Sequence, residues 1–323
     1  MNHAIRIHRY GGPEVLQWEP VAVGEPGPGQ ARVRHTAVGL NFIDIYQRTG
    51  LYPSVLPAVL GREAAGVVEA VGPRVKDLAV GQRVAYVSSE PGAYSQARVL
   101  SADRLVALPD SIADQQAAAL MLKGLTVQAL LRQTYRVRKG DIVLIHAAAG
   151  GVGLIAVQWA KHLGAKVIGV VSSQAKADLA RARGADHVLL SQDDWLSQAK
   201  GLTRGKGVNV VYDSVGKDTF FASLDSLRPL GMMVTYGNSS GPVPPVAPLE
   251  LSKRGSLFLT RPTLFHYIAT RSALQRAARE LLGLVAQSVI SVHVGQTYPM
   301  QDAARAHRDL ESRQTTGSTV LLP

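Results

Sequence analysis

Three glycines crowd into four positions at the end of His146-Ala-Ala-Ala-Gly-Gly-Val-Gly153, between two apolar runs of different character. Asp141-Ile-Val-Leu-Ile145 is short and continuous, as a buried strand requires, whereas Leu154-Ile-Ala-Val-Gln-Trp-Ala-Lys161 suits a helix. A strand that turns sharply into a helix leaves the first helical N–H groups unpartnered. A diphosphate satisfies them, provided no side chain holds it away. Gly150, Gly151, Val152 and Gly153 are therefore expected to receive a pyrophosphate. The spacing is Ala-x-x-Gly-x-x-Gly from Ala147, with alanine where the usual dinucleotide pattern opens on glycine. Alone, that match also describes a glycine-rich bend with no ligand. The strand before it, the helix after it and a second strand at Lys166 to Val171 favour the dinucleotide reading.

The tip of the second strand discriminates between dinucleotides. A site for NAD usually offers a carboxylate there to the ribose hydroxyls, and a 2′-phosphate would be repelled by it. Here the chain offers Ser172, Ser173 and Lys176, with no carboxylate before Asp178. Hydroxyl donors and a cation suit NADPH. A lone lysine could equally be a solvated residue in a helix's first turn, so the missing carboxylate carries this expectation.

The elements that must position these residues follow from the rhythm of the chain. To about residue 125 short alternating stretches such as Ala31-Arg-Val-Arg-His-Thr-Ala-Val38 are punctuated by glycine and proline, which predicts a mostly β domain. Ser111-Ile-Ala-Asp114 has the form of a capping box before Ala117-Ala-Ala-Leu-Met-Leu122. Strands are predicted at 141–146, 166–171, 186–190, 208–213, 232–236 and 256–260, with helices between most of them, two ending at Gly164 and Gly184. Six such strands predict an α/β fold with a doubly wound parallel sheet. A helix around Ser272 to Ala286 and a strand in Ser318-Thr-Val-Leu-Leu-Pro323 return to complete the first domain. The β/α unit is then an insertion, giving domains 1–125 with 263–323 and 126–262.

Composition narrows the function classes. The 323 residues are 46% apolar and contain no cysteine, which excludes disulfides, thiolate nucleophiles and zinc sites built on sulfur. The uncharged stretch Ile142 to Ala160 is long enough for a membrane span, but its glycines, His146 and Gln158 argue against one. The amino terminus has no long apolar core, so a cytoplasmic address is expected. A net charge of +11 could serve nucleic acid, yet the cations are dispersed and aromatics are only 6%, leaving little to stack bases on. A basic surface that attracts a small anion is the preferred reading, with no nucleic-acid partner expected. The nine histidines show no ligand spacing and are expected to be scattered over the surface.

Several stretches carry a family resemblance: Tyr10-Gly-Gly-Pro-Glu-Val-Leu16, Asn41-Phe-Ile-Asp44, Arg48-Thr-Gly-Leu-Tyr-Pro53, Leu122-Lys-Gly-Leu-Thr126, His146 to Gly153, Tyr212-Asp-Ser-Val-Gly216 and Gly237-Asn-Ser-Ser-Gly241. From end to end the chain resembles the zinc-free quinone oxidoreductases of the medium-chain dehydrogenase/reductase superfamily, the group that includes zeta-crystallin. The resemblance implies a GroES-like catalytic domain made from both chain ends, a Rossmann domain between them, and a cofactor cleft at their boundary. It implies that Asn41 and Thr126 contact the nicotinamide side, that Gly151 and Val152 contact the pyrophosphate, and that Val215, Tyr236 and Asn238 line the nicotinamide ribose. Ser173, Lys176 and Arg313 resemble the 2′-phosphate set, and Ser191 stands where related bacterial enzymes place a tyrosine. Zinc alcohol dehydrogenases of the superfamily carry Gly-His-Glu where this chain has Gly61-Arg-Glu63, so no metal is expected.

Without a Lewis acid, activating an alcohol for oxidation is demanding, while an electron-poor acceptor needs chiefly to be held against a reduced nicotinamide. The expected activity is NADPH-dependent quinone reduction, with Asn41, Tyr46 and Tyr52 lining the acceptor side. A tyrosine in a Tyr-Pro turn is as often structural as functional. The alternatives are reduction of activated carbon–carbon double bonds in enones or alkenals, and a crystallin-like protein that binds NADPH or nucleic acid without turnover. The apolar edge strand Ser256-Leu-Phe-Leu-Thr260 needs pairing or covering, and the resemblance implies that it pairs across a two-fold axis in a homodimer.

Overall fold

The computed structural model describes all residues from Met1 to Pro323. In chain order the first part contains β1 (Asn2–Ile7), β2 (Gln17–Val21), β3 (Gln30–Leu40), α1 (Phe42–Arg48), β4 (Ala58–Val59), β5 (Glu63–Val71), β6 (Arg83–Val87), β7 (Ala97–Ser101), β8 (Leu105–Ala107) and α2 (Asp114–Gln128). Alternation then sets in with β9 (Ile142–His146), α3 (Gly151–His162), β10 (Lys166–Val171), α4 (Gln174–Ala182), β11 (His187–Leu190), α5 (Trp195–Leu202), β12 (Val208–Asp213), α6 (Phe220–Asp225) and β13 (Leu227–Thr235). The chain continues through α7 (Leu249–Lys253), β14 (Phe258–Thr260), α8 (Leu264–Tyr267), α9 (Arg271–Ala286), β15 (Val294–Pro299), α10 (Ala303–Glu311) and β16 (Ser318–Leu322). Two compact units result: Met1–Leu125 with Ile268–Ala286 and Val292–Pro323, and Thr126–Tyr267 with Gln287–Ser291. No helix is long and apolar enough to cross a membrane.

The second unit holds a six-stranded parallel sheet in the order β11-β10-β9-β12-β13-β14. Strand order reverses between β9 and β12, the switch point at which open α/β sheets bind ligands beyond their carboxyl ends. Its core comprises Leu144, Ile168, Val170, Val211, Phe220 and Met233. Gly164 and Gly184 take φ of 83° and 100° after α3 and α4, and the following N–H groups of Ala165 and Ala185 reach back to Ala160 and Ala180. These are left-handed caps that only glycine adopts without cost. One predicted strand was too short: β13 begins at Leu227 rather than 232, because Leu230 takes φ of 61° and the register with β12 slips past that irregularity. The edge strand starts two residues late, after Ser256 at φ 56°.

In the first unit β3 is the spine, pairing antiparallel with β5, β7 and β16, so the carboxyl-terminal strand closes the sheet begun near the amino terminus. Ile5, Val33, Leu40, Val68, Tyr86, Tyr94 and Leu321 fill its core with Ala303 and Ala306 of α10. The capping box expected at Ser111 does not form. The N–H of Ala113 instead receives the Gln116 side chain (3.2 Å), while Asp114 binds Arg83 (2.6 Å) and Thr36 (2.6 Å).

Buried polar groups tie α1 to α10. Arg48, 1% exposed, donates to Glu311 (2.7 Å) and to Gly11 O (3.1 Å) and meets His307 (3.1 Å). The Tyr94 hydroxyl joins Asp44 Oδ2 (3.0 Å) and His307 Nε2 (3.1 Å). The histidines correct the sequence reading, since His35, His146 and His307 are buried rather than on the surface. Burial holds all three below their ordinary pKa, to about 4 for His35 and about 3 for His307. Burial raises the Asp44 carboxyl to about 7.

These shifts fix the response to acid. As pH falls below 6.5 the unfolded chain gains protons that the three folded histidines refuse, so folding stability is lost, by up to ~1.4 kcal/mol per pH unit for each site. Asp44 acts in the opposite sense between about 7 and 3.8, because the folded state binds its proton first. Three sites outweigh one. The urea unfolding midpoint is expected to be lower at pH 5 than at pH 7, and an equal or higher midpoint would contradict this account.

Candidate nucleotide and acceptor site

The turn after β9 is built to expose backbone donors. Gly150 is the N-cap of α3 in an extended conformation and no side chain caps the helix, so the N–H groups of Gly151, Val152 and Gly153 lack intrahelical partners. Ala147 takes φ of 51°, the conformation for which dinucleotide turns normally keep glycine, and a Cβ there costs about 1 kcal/mol. Gly153 answers a different constraint. A Cβ at that position would run into the Ala147 carbonyl and the Ala148 backbone, so it is closeness of helix to strand that requires glycine.

At the end of β10, Ser173 caps α4, accepting the Lys176 N–H (3.4 Å), and Lys176 Nζ lies 3.3 Å from the Ser172 hydroxyl. Ser191 follows β11 and its N–H donates to Val171 O (2.7 Å), which places it beside the same strand end. Two hydroxyls, one ammonium and a third serine thus gather at one corner of the sheet.

Beyond β12, Asp213 is fully buried and organises the next loop. Its Oδ1 accepts from the N–H groups of Val215 (2.7 Å) and Gly216 (3.0 Å), and its Oδ2 from the hydroxyls of Thr219 (2.7 Å) and Ser223 (3.2 Å). Ser223 in turn bonds His146 Nε2 (2.8 Å). The N–H of Tyr236 donates to Asp213 O (2.7 Å). Arg261 donates to Thr235 (3.1 Å) and Gly237 O (2.9 Å) and, with the Asn238 amide oxygen turned toward it, to Asn238 (3.1 Å). Gly150 to Gly153, Ser172, Ser173, Lys176, Ser191, Val215, Tyr236 and Asn238 therefore all lie at the carboxyl edge of one parallel sheet.

In the first unit Asn41 is the N-cap of α1 and is buried, with its N–H bonded to Asp44 (2.9 Å). Tyr46 lies on α1, 8% exposed, and its ring meets Tyr52 edge-on with centroids 5.3 Å apart. Tyr52 is half-buried, and its N–H donates to Tyr46 O (3.0 Å). Thr126 is half-buried on α2, and Arg313 is exposed just past α10 with φ of 59°. Sequence reasoning passed over Asp213 and Arg261 as organisers of the loops. Asp213 could have been noticed as a charge ending an apolar strand, whereas nothing local marks Arg261.

Comparison with known proteins agrees with this geometry. Residues 27–110 match the alcohol dehydrogenase GroES-like domain and residues 151–287 the zinc-binding dehydrogenase domain. That pair of domains defines the medium-chain dehydrogenase/reductase class. A quinone oxidoreductase of Pseudomonas aeruginosa is 53% identical over all of both chains, and a 2-haloacrylate reductase of a Burkholderia species is 50% identical over 98% of each. The solved structure of Escherichia coli quinone oxidoreductase complexed with NADPH superposes with a TM-score of 0.98 at 50% identity, over 99% of this chain and 100% of that one. The chain belongs to the quinone oxidoreductase family of this superfamily.

A zinc ion does not fit the residues present. Arg62 replaces the histidine of the Gly-His-Glu stretch, and its guanidinium donates to Ser88 O (3.3 Å) and Ser89 O. There is no cysteine, and no three His, Asp or Glu side chains converge as ligands.

Opposite effects are expected from two changes in the β9–α3 turn. Gly153→Ala should lower unfolding free energy by about 1–3 kcal/mol through overpacking, whereas Ala147→Gly should leave it unchanged or raise it by up to about 1 kcal/mol. Urea titration of both variants tests the assignment of the steric constraint to Gly153 rather than Ala147.

Proposed function

We propose that this chain is an NADPH-dependent reductase of quinones acting without a metal. The observation that carries the reading is the Ser172, Ser173 and Lys176 cluster, with no carboxylate in the sequence before Asp178, at the corner of a sheet whose neighbouring helix offers uncapped N–H groups. The quinone oxidoreductases among its relatives, one of them solved with NADPH, support it.

When bound, NADPH supplies the reducing equivalents. The chain's own part is to hold it: Gly150, Gly151, Val152 and Gly153 at the diphosphate, and Ser172, Ser173, Lys176, Ser191 and Arg313 at the 2′-phosphate. Asn41, Thr126, Val215, Tyr236 and Asn238 serve the nicotinamide and its ribose. Charge-assisted donors suit a phosphate dianion, and backbone amides suit the bridging oxygens. Tyr46 and Tyr52 are assigned to the acceptor, where a phenol can donate to the oxygen that gains charge.

The 2-haloacrylate reductase relative favours a second reading, reduction of an activated carbon–carbon double bond. That reaction shares the hydride but also requires a proton at carbon. The dispersed basic surface is read as attracting small anions, with no nucleic-acid partner and a cytoplasmic address.

A panel of NADPH and NADH crossed with a naphthoquinone and an alkenal tests both readings. Faster turnover of the quinone with NADPH is expected, and faster turnover of the alkenal would reverse the order. In Lys176→Ala the KM for NADPH should rise about tenfold, one lost charge-assisted bond, with the KM for NADH little changed. An unchanged NADPH value would remove Lys176 from the phosphate clamp.

The exposed edge strand β14, with Phe258 54% and Leu259 37% exposed, supports a homodimer paired along that edge. Light scattering is expected to give twice the 34.4 kDa chain mass. Phe258→Lys should shift the mass toward the monomer, and a monomeric wild type would end the proposal.

A further inference from the structure

The Gly61-Arg-Glu63 stretch lost a zinc ligand at Arg62 and kept its glutamate, which none of the roles above employs. Glu63 opens β5 directly across from Gly39 of β3. A Cβ at Gly39 would strike both the Glu63 carboxylate and the Ala118 carbonyl of α2, so this glycine leaves the space the carboxylate fills. Glu63 has no exposed surface. Its Oε1 accepts from Lys123 Nζ (3.0 Å) and from Asn41 Nδ2 (2.7 Å), and its Oε2 accepts the Leu122 N–H (2.6 Å). Lys123, 6% exposed, also donates to Leu40 O (3.2 Å).

This arrangement settles which way the Asn41 amide faces. Turned over, its oxygen would confront a buried carboxylate at hydrogen-bond distance, which burial penalises heavily. Nδ2 is directed to Glu63 and to Gly39 O (3.4 Å), so both donors of the amide are used; Oδ1 faces the Asp44 N–H in the capping box of α1, and its second lone pair is the hydrogen-bonding capacity that remains. We infer that Glu63, neutralised by Lys123, is a positioning residue that locks Asn41 as a hydrogen-bond acceptor toward the cofactor. The inference rests on the reading of Asn41 as a nicotinamide-side contact. Asn41 then accepts from a hydroxyl or amide N–H of the reduced nucleotide and cannot donate to an acceptor oxygen that is gaining charge.

A charge swap tests it. Asn41→Asp sets two carboxylates against each other, while Asn41→Asp with Glu63→Gln returns one donor and one acceptor to the contact. The double variant keeps one negative charge in the cluster that holds Lys123, keeps a good N-cap on α1 and keeps an acceptor oxygen where Oδ1 was. With NADPH and a naphthoquinone, kcat/KM is expected to fall about 100-fold in Asn41→Asp, about tenfold in Glu63→Gln, and to recover to within about tenfold of wild type in the double variant. Starting from Asn41→Ala, adding Glu63→Gln should cost less than about twofold more, since the residue to be positioned is gone. Each variant is checked by urea unfolding and by nucleotide titration.

A double variant that is folded and binds NADPH, yet is as slow as Asn41→Asp, overturns the acceptor assignment. Equal costs of Glu63→Gln with and without Asn41 reduce Glu63 to a fold-stabilising residue and also overturn the inference. If Asn41→Asp does not fold, the Asn41→Ala pair decides alone. A wild-type kcat and KM in Asn41→Ala would instead remove the parent reading of Asn41, a result distinguishable from both.

Discussion

Each unit of this protein sets its functional loop around a carboxylate withdrawn from water. An unmatched buried anion costs several kcal/mol, so in the folded state each of its partners must be in place. The two units meet that demand differently. Glu63 is matched by the Lys123 ammonium and by donors from Asn41 and Leu122, so a side chain is immobilised. Asp213 is matched by two backbone N–H groups and two hydroxyls, so a stretch of main chain, Val215 and Gly216, is immobilised. In both cases the polar interior does more for geometry than for stability: a well-packed apolar core would tolerate several side-chain arrangements, whereas a buried charge with full hydrogen bonding tolerates one.

The β9–α3 turn shows a related economy with small residues. Glycines there are expected to clear the way for a ligand, but the tightest contacts are internal. Gly153 makes room for the Ala147 carbonyl, and the space beside Gly169 on β10 is taken by the Ala148 methyl, 2.9 Å from where a Cβ would sit. At Gly150 a Cβ would meet only Ala147 O, at 3.2 Å, so this position is not sterically obliged in the same degree. Helix α3 can approach β9 and β10 closely because of these residues, and that approach aims its free amides beyond the strand ends. Ala147 at positive φ is strain the turn carries in return.

Much of this was legible in the amino-acid order because the signals are local. Continuous apolar runs bounded by glycine placed all six parallel strands, and Gly164 and Gly184 marked two helix ends, since propensity and periodicity act over a few residues. Where the chain departs from local rules the reading slipped. β13 starts before Pro229 because an irregular register, invisible in a single strand's sequence, joins two segments to one partner. The capping expected at Ser111 lost to Gln116, while Asp114, the acidic end of that motif, was drawn to Arg83 and Thr36 from other strands. Three histidines taken as surface residues are buried, each bonded to distant partners such as Tyr86, Tyr94, Arg48 and Ser223. The contact among residues 41, 63 and 123 belongs to the same class. It arises from strand register and helix packing, so no spacing rule reveals it.

What the first unit contributes to chemistry depends on how rigidly α1 is held. Seven residues are far too few for a helix to persist by itself, since nucleation alone is unfavourable by orders of magnitude. Tertiary bonds supply what length does not. Asn41 is bound to Glu63 at the helix start, Asp44 to the Tyr94 hydroxyl in the first turn, and Arg48 to Glu311, His307 and Gly11 at the end. Asp44 takes part even though burial raises its carboxyl to about 7, because Oδ2 accepts from both Tyr94 and the Asn41 N–H. A helix pinned at its beginning, first turn and end cannot rotate about its axis, and Tyr46 is fixed along with it. Asn41 and Tyr46 thus belong to one immobilised element, and the Tyr52 ring packs edge-on against Tyr46 with centroids 5.3 Å apart. A donor aimed at oxygen stabilises charge on a quinone oxygen and on the enolate oxygen of an enone alike, so the two reactions differ in the proton that the carbon centre needs. What the pinned α1 supplies to either reaction is a fixed position for Asn41 and Tyr46, which a free seven-residue helix would not hold.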